Sequence, residues 1–199
     1  MRSLTRAEAV ERAALLTVDG YEIHLDLTGG PELFRSTTTI RFRAASAGPT
    51  FVEMKPRRLL AVQLNGADLD VAALDENRLT LTGLLTGDAE NVLVVEAEMA
   101  YTNTGDGLHR FVDPADGEAY LYGGSFLDES EKVFASFDQP DLKAPFTLTV
   151  RAPEGWLVAA NGAEDRPGRT GSGRRPHPAA VHLLLVDDRR AVPPGHRRA

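Results

Sequence analysis

Three stretches of the sequence contain residue types that could carry chemistry. Residues 133–150, VFASFDQPDLKAPFTLTV, place acids, prolines and a lysine between a short apolar run and a strand-like pattern. Gly123-Gly124-Ser125 could let the backbone approach a ligand closely, although an ordinary glycine turn between strands is the simpler interpretation. An acidic group could hold a cation or a ligand amine, with a solvated face as the favoured alternative. Its members are Asp128, Glu129, Glu131, Asp138 and Asp141.

Several kinds of catalytic centre are excluded because their residues are missing. The chain has no cysteine, no H-E-x-x-H pattern of a zinc peptidase and no G-x-S-x-G pattern of a serine hydrolase. His177 and His182 stand in an arginine-rich segment that offers no framework for metal ligands. His24 and His109 are isolated in strand-like segments. We therefore expect no catalytic residue, no metal site and no cofactor in this chain.

Hydrophobic periodicity predicts a short helix followed by strands. Thr5 and Glu8 have the spacing of a capping box, and apolar residues follow near helical period. These are Ala7, Val10, Ala14 and Leu15. From Gly20 the period changes to two, and a hairpin is expected around Gly29-Gly30-Pro31. Further short strands, with Asn65-Gly66 as a tight turn, indicate an all-β fold: a saddle-like antiparallel β-sheet or sandwich.

Length and charge limit the possible domain organisation and partners. A chain of 199 residues allows one substantial domain, which we assign to residues 1–164. The net charge is −7, and residues 165–199 carry eight Arg against three Asp, so residues 1–164 carry −12. Such an acidic body argues against binding to nucleic acid phosphates. Neither a secretory signal nor an apolar run long enough to span a membrane is present, which predicts a cytoplasmic protein without membrane contact.

Residues 165–199 differ in composition from everything before them. They are rich in arginine, proline and glycine and contain no lysine, and AVHLLLV is the single run that could pack. Disorder is the physical expectation for residues 165–199. The bias also suits a GC-rich gene read in a shifted frame, a hypothesis under which the natural protein continues differently after about Glu164.

Residues 120–156, YLYGGSFLDESEKVFASFDQPDLKAPFTLTVRAPEGW, resemble the N-terminal domain of aminopeptidase N-type zinc aminopeptidases, the gluzincin exopeptidases, especially actinobacterial members. Residues 137–144, FDQPDLKA, are the most specific part, and the likeness extends over about residues 1–164. The resemblance implies a saddle-shaped β domain that covers one side of a separate catalytic domain. It also implies that this domain contributes to the pocket for the α-amino group of a peptide substrate, while the zinc ion belongs to the next domain.

The resemblance also exposes a departure at the expected substrate site. The family commonly has a glutamine after the YLY-like strand and an acid two positions later, where this chain has Gly124 and Phe126. The Gly124 carbonyl and the Ser125 hydroxyl could still contact substrate, and Asp128 or Glu129 could supply the charge. The predicted substrate-binding residues are Gly124, Ser125 and Phe126.

Two interpretations of the whole chain follow. In the first, it is the amine-side domain of a zinc aminopeptidase, whose partners are a peptide substrate and the missing catalytic domain, and it is inactive alone. In the second, it is a free-standing β-sandwich interaction module without catalysis. The corner at residues 137–146 is expected to be structural in both, because Pro140 fixes a turn that Asp138 and Asp141 can cap.

Overall fold

The computed structural model describes residues 2–125 and 129–161, and for residues 180–184 the course of the backbone. Strands dominate these ranges. The elements are α1 (Arg6–Leu15), β1 (Leu16–Asp26), β2 (Leu33–Ala44), β3 (Thr50–Glu53), β4 (Arg58–Leu64), β5 (Ala67–Asp68), β6 (Leu74–Asp75), β7 (Arg78–Leu81), β8 (Glu90–Ala100), β9 (Gly107–Val112), β10 (Ala119–Gly124), β11 (Phe146–Arg151), β12 (Leu157–Ala160) and β13 (Ala180–Leu184), with 3-10 turns at Val71–Ala73 and Ser130–Lys132.

Helix α1 begins with the predicted capping box. The Thr5 hydroxyl accepts a hydrogen bond from the backbone N–H of Glu8 at 3.3 Å, and the Glu8 carboxylate accepts one from the N–H of Thr5 at 2.8 Å. Two N–H groups that the first helical turn leaves open are therefore satisfied by side chains.

The apolar residues that indicated this helix do not form its buried face. Ala7, Val10 and Ala14 are exposed and Leu15 is half-buried, whereas Arg12 is fully buried. The helix is therefore attached to the sheets mainly through a charged side chain.

The largest sheet has six strands in the order β11-β1-β2-β8-β4-β5. β1 and β2 form the predicted hairpin, but β1 already begins at Leu16. A register irregularity between Val18 and Gly20 reverses which alternate residues face the core. Leu16 and Val18 are buried before it, and Ile23 is buried after it. Because this reversal breaks the period of two, hydrophobic periodicity does not indicate the first part of the strand.

Two smaller sheets complete the described fold. One has the order β3-β7-β6, and the other has the order β12-β13-β10-β9. Most strand pairs are antiparallel, while β1/β11, β10/β13 and β12/β13 are parallel. Asn65 and Gly66 both have positive φ, 54° and 81°, as the predicted tight turn between β4 and β5 requires.

Two apolar clusters form the core. The first contains Phe42, Ile40 and Phe137, and the rings of Phe42 and Phe137 meet edge to face at 5.2 Å. The second lies between the six-stranded sheet and the β9–β10 pair, where Leu108 and Leu121 are buried. Because Leu121 of β10 packs in this second cluster, the core fixes the position of β10.

The all-β fold class with a short N-terminal helix is confirmed. Within residues 165–199 the structure describes only β13, which lies in the one run that the sequence analysis identified as able to pack. The prediction of disorder for the remainder of that segment lies outside the described residues. In the described part of the chain, no helix has the length and apolarity needed to cross a membrane.

Candidate substrate-binding edge

The predicted substrate-binding residues lie where β10 ends. Gly123 and Gly124 pair with Leu108 and Gly107 of β9. Ser125 follows directly, and its Oγ is buried without a hydrogen bond to any described residue. Phe126, predicted as the third residue of the site, lies outside the described residues, and so does Asp128. Gly124 and Ser125, which are adjacent in sequence, thus lie at the end of β10, which we call the edge of β10, and their role in substrate binding stays a prediction.

A charged cluster borders this edge. The Lys132 ammonium is bound between the carboxylates of Asp106 and Glu129, at 2.5 Å from the latter. The backbone of Gly107 lies so close that a Cβ there would be 2.9 Å from the Cβ of Lys132. Since Gly107 is the strand partner of Gly124, the cluster lies beside the predicted site. We call Asp106, Glu129 and Lys132 the edge cluster.

Hydrogen bonds and ion pairs within the edge cluster favour the charged forms of Asp106 and Lys132. The hydrogen bond from Lys132, with another from Thr104, holds the pKa of Asp106 well below its usual range. Partial burial opposes the charge on Lys132, but its bonds to Asp106 and Glu129 outweigh burial and raise its pKa. Two carboxylates and one ammonium leave one net negative charge. Glu129, which the sequence offered as an amine ligand, is therefore already paired.

The short turn that carries Lys132 is anchored by two buried groups. Glu131 is 1% exposed, and its carboxylate accepts a hydrogen bond of 2.6 Å from Asn77. Its backbone carbonyl accepts from the N–H of Lys55. Ser136 exchanges two backbone hydrogen bonds with Glu53 on β3. The segment that begins at Glu129 is thus fixed to the β3 side of the fold.

The second buried charge system lies beneath helix α1. Arg12 donates from Nη1 to both carboxylate oxygens of Glu53, at 2.8 and 3.0 Å, and from Nε to Gln139 at 2.8 Å. Its guanidinium also lies 4.5 Å from the ring centre of Phe51. Gln139 donates in turn to the carbonyl of Ala9. We call Arg12, Glu53 and Gln139 the buried triad.

The corner at residues 137–146 is a structural junction in this arrangement. Gln139 joins the buried triad, and the backbone N–H of Asp138 donates to Glu53 at 3.2 Å. Phe137 is buried, and its N–H donates to the hydroxyl of Tyr21 at 3.1 Å. Burial raises the pKa of that Tyr21 hydroxyl and keeps it neutral. Asp141 is exposed. These contacts fix the corner to α1, β1 and β3.

Arg12, Glu53 and Lys132 were not among the residues predicted from the sequence. Arg12 and Glu53 are 41 residues apart, and Lys132 is 26 residues from Asp106. The apolar residues of α1 recur near helical period, so no local pattern indicated that Arg12 would be the buried residue. The predicted acidic group is divided by the structure, because Glu131 is buried while Asp141 is exposed.

Metal binding has no basis in the described residues. Within residues 2–125 and 129–161, no three side chains of His, Asp or Glu come together in a way that could hold an ion. His177 lies outside the described residues, and of His182 only the backbone is described.

Comparison with known proteins finds a relative by sequence. No family model matches the chain. An aminopeptidase N from Streptomyces lividans is 52% identical over 169 residues, which cover 83% of this chain and 20% of that protein. The chain thus spans about a fifth of the curated relative that it matches.

Two solved structures share the fold at low sequence identity. The native yeast LTA4 hydrolase gives a TM-score of 0.57 at 14% identity, over 69% of this chain and 23% of that one. An M1 zinc metallopeptidase variant from Deinococcus radiodurans, bound to a Tyr-Ser-Ala substrate, gives 0.52 at 19% identity, over 68% and 32%. Both structures show the fold, and the 52% identity over most of the chain leads to the conclusion that the chain belongs to the aminopeptidase N family and corresponds to its N-terminal β domain.

Proposed function

We propose that this chain is the substrate-amine-side domain of a zinc aminopeptidase that removes N-terminal residues from peptides. The observation that carries the proposal is the 52% identity with an aminopeptidase N over most of the chain. The solved peptidase with a bound Tyr-Ser-Ala substrate, which shares the fold, supports a peptide as the ligand class.

The edge of β10 has the chemistry to receive a substrate amine. The Gly124 carbonyl can accept a hydrogen bond, and the Ser125 hydroxyl has no partner among the described residues. The edge cluster next to them retains one net negative charge, which favours an ammonium group. In this proposal an α-amino group binds between the end of β10 and the edge cluster.

The zinc ion of such an enzyme does not fit the residues described here. None of them form a group of three possible ligands. Zinc would normally activate the water that attacks the scissile carbonyl. In the proposal that chemistry comes from polypeptide outside this chain, and the chain alone binds and orients the amine end.

Nuclear magnetic resonance on the full chain tests the amine site directly. An amino acid amide such as phenylalanine amide is titrated, and millimolar affinity, about −4 kcal/mol, is the expected scale for so small a ligand. Backbone signals of Gly124, Ser125 and Lys132 should shift with a free amine and remain still with the N-acetyl amide. Equal shifts with both ligands, or none with either, would refute the amine site.

The same titration separates the proposal from the rival interaction module. A free-standing module has no reason to distinguish a free amine from an acetylated one. Amine-selective shifts confined to the edge of β10 therefore favour the peptidase domain.

A further inference from the structure

A buried hydrogen bond fixes the turn that carries two members of the edge cluster. Glu129 and Lys132 flank Glu131 on this turn, and the buried Glu131 carboxylate accepts a hydrogen bond of 2.6 Å from Nδ2 of Asn77. A hydrogen bond to a carboxylate is charge-assisted and about twice as strong as a neutral one. The position of the turn therefore depends on the donor that Asn77 presents.

Asn77 is itself held from several sides. It is 3% exposed, and its backbone carbonyl accepts from the N–H of Met54 at 2.9 Å. Its Oδ1 accepts from the backbone N–H of Arg2 at 3.0 Å, and Nδ2 donates a second hydrogen bond to the Arg2 carbonyl at 3.3 Å. These bonds set the orientation of the amide, since a flipped amide would turn its oxygen toward the Glu131 carboxylate.

The backbone before Asn77 adopts a conformation that is unfavourable for its residue. Asn77 follows Glu76 in the turn between β6 and β7, and Glu76 has φ of 55°. This left-handed region is costly for any residue with a Cβ. Such strain persists where the surrounding contacts require it, and here the strained turn places Asn77 in the interior.

The turn links the buried pair to the proposed amine site. The Lys132 ammonium bridges the carboxylates of Glu129 and Asp106. The Cβ of Lys132 would lie 2.9 Å from a Cβ placed on Gly107, the strand partner of Gly124. Two of the three charges of the edge cluster thus belong to the turn, and Asp106 comes from elsewhere in the chain. A displaced turn would take both charges away from the edge of β10.

We propose that Asn77 and Glu131 are positioning residues of the amine site, because their buried hydrogen bond holds the turn where the edge cluster can form. Neither residue touches the amine, and both act through the turn. The inference rests on the proposed function for its ligand, whereas the arrangement of the edge cluster can be measured without any ligand. It places the role of Glu131 inside the protein, although the sequence offered this residue as part of an acidic group at the ligand.

Reversal of the hydrogen bond tests this role in the full chain. Asn77→Asp replaces the donor by an acceptor and sets two carboxylates against each other. Glu131→Gln, added to Asn77→Asp, supplies an amide donor from the other side and restores a hydrogen bond in the opposite direction. Asn91→Asp is the matched control, because Asn91 is also buried and its Nδ2 donates to the carbonyl of Leu85 at 2.8 Å. Leu85 belongs to neither the turn nor the edge cluster.

Two readouts separate positioning from stability. The first is the exchange of the Lys132 ammonium protons with water, followed by nitrogen-edited NMR, because hydrogen bonds to carboxylates slow this exchange. The chain has three lysines, and the other two, Lys55 and Lys143, are exposed and serve as internal references. The second readout is the dissociation constant of phenylalanine amide. Urea denaturation gives the free energy of unfolding of each variant.

We expect Asn77→Asp to accelerate exchange of the Lys132 ammonium protons about tenfold and to weaken amine binding about threefold. Addition of Glu131→Gln should reverse most of both effects. Asn91→Asp should lower stability to a similar extent and change neither readout. If Asn77→Asp does not fold, Asn77→Ala removes the donor without adding a charge and is held to the same outcomes.

Several results would overturn the positioning role. Exchange at Lys132 that is already fast in the wild-type chain, or that stays slow in the folded Asn77 variant, would do so. An effect that Asn91→Asp reproduces, or that Glu131→Gln fails to reverse, would show a general loss of stability instead. Accelerated exchange that Glu131→Gln reverses, in a chain that does not bind the amine, would support the positioning of the edge cluster and refute the proposed amine site.

Discussion

The buried triad and the edge cluster both pair a basic side chain with carboxylates, but the triad lies in the interior and the edge cluster lies near the surface. Arg12 and Glu53 pair in the interior with side chains that are 2% and 5% exposed, whereas Lys132 and Asp106 pair at a rim where they are 18% and 29% exposed. A buried pair is expensive to break, because the remaining charge has no water. A partly exposed pair is weaker and screened by salt. In our proposal the triad therefore holds the fold, while the more exposed edge cluster contributes to ligand binding.

Arg12→Met should produce the largest loss of stability. Glu53 would then be buried without its cation, and the free energy of unfolding should fall by about 3–5 kcal/mol. Urea denaturation at pH 7 measures this change. Arg6→Met alters an exposed arginine on the same helix and should shift stability by less than about 0.5 kcal/mol.

The pH dependence of the Arg12→Met variant sharpens this prediction. Burial raises the pKa of Glu53, against the opposing bond from Arg12, and without Arg12 it should rise further. A raised folded-state pKa favours folding at low pH and loses that contribution as the pH rises through it. The defect of the variant should therefore shrink between pH 7 and pH 4.5. A constant defect over this range would show that Glu53 is not its cause.

Gly107→Ala should have an intermediate effect at the edge. Gly107 has φ of 56°, and the new Cβ would lie 2.9 Å from Lys132. Gly117→Ala is the matched control, since its φ is 75° and nothing lies within 4 Å. Both carry backbone strain of about 1–2 kcal/mol, so Gly107→Ala should be less stable than Gly117→Ala by about a further 1–2 kcal/mol. Equal melting temperatures would mean that Lys132 does not pack on β9.

Lys132→Met should give the smallest change in stability of the three. The methionine keeps the apolar stem, and the lost ion pairs are partly exposed, so the cost should be about 1 kcal/mol. The difference from wild type should shrink as salt rises from low ionic strength to about 1 M. Arg12→Met, measured in parallel, should show no such salt dependence. A salt-independent Lys132→Met effect would remove the distinction between the two regions.

Local features of the fold were predictable from the sequence, and long-range ones were not. The capping box at Thr5 and the turn at Asn65-Gly66 depend on residues within a few positions, and the structure confirms both. The start of β1 was missed because a register irregularity at Val18 interrupts its alternation. The partnership of Arg12 with Glu53 depends on tertiary packing, which no local pattern encodes.

The candidate site shows the same division. Residue types and the family resemblance led to the prediction of Gly124 and Ser125, which are adjacent in sequence and lie at the end of β10. Their role in substrate binding stays a prediction. The pairing of Lys132 with Asp106 was not predicted, because the two residues are 26 positions apart and Asp106 reaches the cluster from the bend before β9.

The most direct measurement of the central claim is complementation of peptidase activity. The chain is combined with the Streptomyces relative that lacks its matching fifth, and release of an aminoacyl anilide is followed with added zinc. We predict that neither polypeptide alone turns over substrate, that the mixture does, and that a chelator abolishes the activity. If the mixture is inactive while the removed fifth of the relative restores activity, this chain is not the amine-side domain of such an enzyme.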